Sequence, residues 1–232
     1  YYFSFADALA AAHAGETITM YADVEATEVI LLDKSITIDG NDHKVTSNAT
    51  RVFRATTSNT EITLNDVKMV STAVRVGTND IRGISIDPDL KDVELTLNNC
   101  SVDFTQSSAN DWTYAVNISG NGTGHKLTVI GGTYEGANVI NVHGANNTVT
   151  VKDAALTSLY PANDQYYGAA IWVLQKQNSS VEATGNTFNG NHAIAFNLGT
   201  GTDLDESNNT DNTKLYVAKA DADKYYYSFA EA

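Results

Sequence analysis

One short pattern governs what this chain can fold into. Two apolar residues separated by one position recur as Ile36/Ile38, Ile62/Leu64, Leu95/Leu97, Leu127/Val129, Val149/Val151 and Val181/Ala183. Four places after the first member stands a turn-forming residue each time: Gly40, Asp66, Asn99, Gly131, Asp153 or Gly185. Seven places after it comes Met69, Val102, Tyr134, Leu156 or Phe188, and only the first copy departs, with His43. A companion pair also recurs, as Phe53/Ala55, Ile84/Ile86, Val116/Ile118, Ile140/Val142, Ile171/Val173 and Ile194/Phe196. Alternation over runs this short, bounded by turn residues, predicts half-buried strands.

Such strands cannot hold a core alone, so the copies must pack on one another. Their spacing varies over about 20 to 35 residues, the range of solenoid repeats, and most of the variation lies in polar segments such as 76–80 and 106–113. Fixed strands with elastic loops mark a solenoid. The expected fold class is all-β: a right-handed, single-stranded parallel β-helix with one coil per repeat.

Composition narrows the function classes. Acidic residues number 28 against 14 basic ones, a formal charge of −14. No basic patch to neutralise phosphates is evident, which excludes nucleic acid as the expected partner. Like-charge repulsion also disfavours anionic membranes and polyuronates unless cations bridge them. No apolar run reaches membrane-spanning length and no signal-peptide pattern is visible, so any such signals are expected in a longer parent protein. The single cysteine, Cys100, occupies the repeat position of Val67 and Ala154, which predicts packing rather than reactivity.

The ends carry their own signals. Residues 4–14 predict a helix, with Ser4 and Asp7 forming a capping-box-like start and Gly15 a stop. Phe5, Ala8, Leu9 and Ala12 form an apolar stripe suited to a lid over the open end of the coil stack. The expected division is a β-helix domain over 1–217, with a capping helix over 1–16 and coils over 17–217. Residues 218–232 then form a connector and the start of a following repeat. That last expectation rests on residues 226–232 (YYSFAEA), which echo residues 2–8 (YFSFADA) at an offset of 224. The simplest account is one unit of a tandem array.

The stretches FADALAAA, GETITMYADV and LLDKSITIDGNDHKV, with the coils that follow, resemble the pectate-lyase-like β-helix superfamily. The resemblance is greatest to non-catalytic adhesive domains repeated in large bacterial surface proteins. It implies an extracellular location at the bacterial cell surface, adhesion or stalk function, and neighbouring copies of the same domain as partners. Fold does not carry function, so the residues must decide.

Of the motifs of the superfamily's pectin hydrolases, Asp-Asp, Gly-His-Gly and Arg-Ile-Lys do not occur here, and Asn-Thr-Asp stands alone at 209–211, without the partners that would complete a paired-carboxylate site. The candidates for lyase chemistry are Arg54, Arg75 and Arg82 with Asp80, Asp87 and Asp89, which structural pairing explains equally well. No histidine spacing suits a metal, and no cofactor is expected. The run 203–211 (DLDESNNTD) is oxygen-rich but lacks ordered calcium-loop positions, which predicts a solvated turn in the last coil.

Binding is the more concrete expectation. If the companion pairs point inward, their middle residues Arg54, Ser85, Asn117, Asn141, Trp172 and Ala195 form an outward column. An aromatic plate beside amides and a guanidinium is what sugar recognition uses. The expected glycan site is therefore Trp172, Arg54, Asn117, Asn141 and Tyr114, with Tyr114, Tyr160, Tyr166 and Tyr167 expected in adjoining loops as the walls of a groove. The alternative for Trp172 is a cover formed by the loop over 158–167. Thr37, Thr63, Thr96, Thr128 and Thr150 line another outward column, read as ordinary strand preference. The reading is a surface adhesin or stalk module binding a host or environmental glycan. A lyase or hydrolase of a uronic-acid-containing polymer, or a pure spacer, are the alternatives.

Overall fold

The computed structural model describes residues 2–105, 112–160, 168–174, 178–190, 192–197, 203–213, 218–221 and 224–226. Among these, the chain winds as a right-handed parallel β-helix with three sheets running along its axis. The first two sheets hold eight strands each and the third holds seven, every strand pairing with its counterpart one coil away. One coil shows the plan: Glu94–Asn98 lies in the first sheet, Ser101–Phe104 in the second and Thr113–Ile118 in the third.

The repeat read from the sequence is the register of the stack. Ile36 pairs Ile62, Ile62 pairs Leu95, Leu95 pairs Leu127, Leu127 pairs Val149, and Val149 pairs Val181. The side chains of these residues are buried and form one continuous core with the inward residues of the other two sheets. A shift of one residue would turn every apolar side chain outward, so burial fixes the register. The turn residues Asp66, Asn99, Gly131, Asp153 and Gly185 share a left-handed backbone, with φ of 49 to 70°. Glycine, asparagine and aspartate tolerate that conformation best.

The irregular first copy has a local cause. Asn41 and Asp42 both take positive φ, 48° and 64°, and lengthen the turn. Val45, not His43, then pairs Met69 in the second sheet and fills the core position. His43 instead faces Asp23, with Nδ1 3.3 Å from its carboxylate. The oxygen-rich run near the end is also more ordered than a solvated turn. Asp203–Ser207 and Thr210–Thr213 are strands that extend the first and second sheets by one more coil. Past the last coil, Ala218–Asp221 and Lys224–Tyr226 pair as an antiparallel hairpin. The start of a following repeat expected over 226–232 lies, apart from Tyr226, outside the described residues.

At the opposite end the lid helix spans Phe5–Ala11 and is shorter than the sequence suggests. Ser4 caps it, accepting the Asp7 N–H at 3.1 Å and donating its hydroxyl to the Asp7 carboxylate at 2.7 Å. The stripe Phe5, Ala8, Leu9 and Ala12 packs on the core. Lys34 from the first coil donates to the carbonyls of Leu9 and Ala12, both at 3.1 Å. A cation at the helix C-terminus answers carbonyls that the helix itself leaves unpaired.

Between coils, buried side chains satisfy the backbone where the ladders break. Asn186 accepts the Ala154 N–H at 3.0 Å and donates to the Val151 carbonyl at 2.8 Å. His125 accepts the Val93 N–H on Nδ1 at 3.2 Å and is 1% exposed. Burial lowers its pKa, with Asp92 opposing slightly. The unfolded chain therefore binds this proton more readily than the folded one, and stability rises with pH. The contribution is complete above the unfolded value near 6.5 and is lost as pH falls from there toward the depressed folded value. Urea midpoints should drop more between pH 7 and pH 5 in the wild type than in His125→Gln. Identical drops would remove His125 as the cause.

Candidate functional site

The third sheet carries the outward column that the sequence predicts. Leu31 pairs Arg54, Arg54 pairs Ser85, Ser85 pairs Asn117, Asn117 pairs Asn141, Asn141 pairs Trp172, and Trp172 pairs Ala195. Between the second-sheet and third-sheet strands the intervening sequence is long in three coils, 72–80, 105–112 and 159–168, and short in the coil between the last two, 137–139.

Outward direction does not mean exposure here. Asn117 and Asn141 are each 2% exposed, Tyr114 5% and Trp172 6%. Asn141 donates to Asn117 Oδ1 at 2.5 Å, and Asn117 donates in turn to the Ser119 hydroxyl. The two amides are thus a ladder binding each other across coils rather than groups waiting in solvent. Trp172 packs with Tyr114, Ala169 and Trp112 in a small apolar cluster separate from the main core. The His143 ring stands edge-on to Trp172 at 6.4 Å, and Trp112 meets Tyr160 at 6.0 Å. Tyr114 itself lies in the strand Thr113–Ile118, not in a loop. The expectation of Trp172 as an open stacking plate is therefore corrected: neighbouring rings shield it. Tyr166 and Tyr167 lie outside the described residues.

The coil-ward half of the same face is charged. Arg54 Nε donates to Asp87 at 2.5 Å, and its side chain is 38% exposed. Asp80 is shared by Arg82 at 3.3 Å and Arg75 at 3.5 Å. The Arg82 guanidinium also lies 5.8 Å from the centre of the Tyr114 ring, joining the charged half to the aromatic half. Burial lowers the Arg82 pKa, and the hydrogen bond to Asp87 raises that of Arg54; both guanidiniums stay charged at neutral pH. Of the sequence candidates, the structure brings Arg54, Asn117, Asn141 and Trp172 into one column and places Tyr114 on the Asn117 strand, packed against Trp172. Arg51, Trp112 and His143 were not singled out by the repeat pattern. For Arg51 a signal existed, because every arginine of the chain falls between positions 51 and 82.

Other candidates resolve differently. Cys100 is fully buried, its thiol directed at the Leu64 carbonyl at 3.3 Å, and burial pushes its pKa up to about 12. The thiolate needed for reactivity is therefore suppressed. The threonine column of the first sheet is in register from Thr17 to Thr150 and ends at Glu182. Among the described residues, no group of three His, Cys, Asp or Glu side chains is placed to hold a metal, and no helix is long and apolar enough to cross a membrane. No protein-family model and no curated protein matches this chain.

Proposed function

We propose that this chain is an adhesin or stalk module of a cell-surface protein, a rigid β-helical rod that binds glycan weakly on the outer face of its third sheet. The observation that carries the reading is the in-register column in which Arg54, its side chain 38% exposed, stands beside Ser85, Asn117 and Asn141. Sugar hydroxyls are recognised by a few fixed polar groups set beside aromatic rings, and this face combines both. The likeness to pectate-lyase-like adhesive domains, and the echo of residues 2–8 in 226–232, support a bacterial surface setting with neighbouring copies in tandem. Exposed Tyr2, Phe3 and Tyr21 at the lid end offer apolar area for contact with such a copy.

A polysaccharide array, read with and without calcium, tests this. The wild type is expected to retain at least one glycan, and Arg54→Gln to lose about tenfold in affinity, the worth of one charge-assisted hydrogen bond. Thr128→Ala, on the first sheet, should bind as the wild type does. Shortened polymer recovered after incubation would favour the lyase or hydrolase reading. A folded wild type that binds no glycan would leave the spacer.

A further inference from the structure

Among the described residues, the charged half of the third sheet contains more cation than its carboxylates answer. Four arginines, 51, 54, 75 and 82, are the whole arginine content of the chain, and all are drawn into one region of one face. Among the described residues two carboxylates face them: Asp87 on Arg54, and Asp80 shared between Arg75 and Arg82. Arg51 is paired in register with Arg82 on the adjacent strand, a spacing of about 4.8 Å between strands. Among the described residues no carboxylate lies within 4.0 Å of Arg51, and its guanidinium reaches only the Thr50 hydroxyl, at 3.4 Å. The Nε atoms of Arg51, Arg75 and Arg82, and the Ser85 hydroxyl, are shielded from solvent with no hydrogen-bond partner among the described residues.

We propose that Arg51 and Arg82 form an oxyanion site that takes a carboxylate or sulfate group of an acidic glycan. This rests on the glycan reading above and names the chemical class of its ligand. A guanidinium presents its N–H donors as a planar fork that matches two oxygens of such a group. Two forks on neighbouring strands give the pair a fixed separation, and an anion between them removes a like-charge contact that the free protein must carry. That contact is felt by Arg51, whose pKa is lowered first by burial and then by Arg82 and Arg54.

The net charge of −14 does not forbid this ligand. At physiological salt the screening length is about 8 Å, so the distant carboxylates of the other faces are largely hidden from a group seated at the cluster. The local excess of guanidinium then decides. Chain-wide charge still slows the approach of a long polyanion, so short oligosaccharides are the better probes.

The test is titration of the wild type, Arg51→Gln and Arg51→Lys with four probes: sodium sulfate, and sulfated, uronate-containing and neutral oligosaccharides of matched length. Ionic strength is held constant with sodium chloride. The wild type is expected to bind a sulfated or a uronate-containing oligosaccharide at least tenfold tighter than the neutral one, and which of the two identifies the anion. Arg51→Gln should lose that preference, and Arg51→Lys should restore only part of it, because charge returns without the fork. Arg51→Gln should unfold no lower than the wild type, which separates lost binding from lost fold. Sulfate binding that depends on Arg51, with no oligosaccharide bound, would keep the anion site and sink the glycan reading. Glycan binding that ignores both the anion and Arg51 would overturn the anion site and keep the glycan reading. No binding by any probe would overturn both.

Discussion

Gly132→Ala is expected to destabilise the protein by about 3–5 kcal/mol, as strain of the left-handed backbone adds to overpacking. Gly132 occupies the repeat position that carries a side chain in other coils, as Val67, Cys100, Ala154 and Asn186. Comparison among the coils alone would therefore make alanine look harmless. In its own coil, however, Gly132 has φ of +84°, and a Cβ there would fall 1.9 Å from the Cys100 carbonyl oxygen. That oxygen accepts the Thr133 N–H at 3.1 Å, so it cannot withdraw without breaking the bond between two coils. Gly15 is the matched control, because it has the same φ of +84° with nothing within 4 Å of the place an added methyl group would take. Gly15→Ala should cost about 1 kcal/mol, conformational strain less the gain from a stiffer unfolded chain. Urea unfolding of the two variants checks the difference. Equal losses would show that backbone conformation alone, and not the close approach, explains glycine at 132.

Trp172→Ala is expected to cost about 3–5 kcal/mol, the range for truncating a buried aromatic residue. The side chain is 6% exposed and fills the cluster with Tyr114, Ala169 and Trp112. Its loss should loosen that cluster on the third sheet, and Trp172→Phe should recover most of the stability. Glycan affinity of the folded Trp172→Ala fraction should change far less than that of Arg54→Gln. A variant with full stability and abolished binding would show instead that the indole meets the ligand directly, and would restore the open-plate reading.

The two substitutions mark where the sequence was legible and where it was not. The coil repeat could be read because burial acts on it with period two along each strand and once per coil, so every copy repeats the same constraint. Even the irregular His43 copy obeyed that rule once its turn was seen to be longer. The outward column was read in correct order for the same reason. Exposure of that column was not readable, because it depends on loops whose length is free and whose contacts follow no period. Trp172 and Asn141 point outward as expected, yet Tyr114 and the neighbouring amides close over them. Arg51 escaped notice because it stands three residues before Arg54, outside the companion-pair frame, although the confinement of arginine to residues 51–82 was open to view.

The variable connections have a consequence for how such a chain can change with time. From Ile62 to Leu95 the path takes 33 residues, and from Leu127 to Val149 it takes 22, yet both pairs are immediate neighbours in the first sheet. Added residues therefore move the chain outward from the axis and leave the step between coils, about 4.8 Å, untouched. Insertions and deletions can accumulate in the corner segments while Arg51, Arg82 and Arg54 keep their mutual spacing. Chain length and contact geometry are thus inherited as separate variables, so a new loop can reshape access to the face without resetting the distances on it.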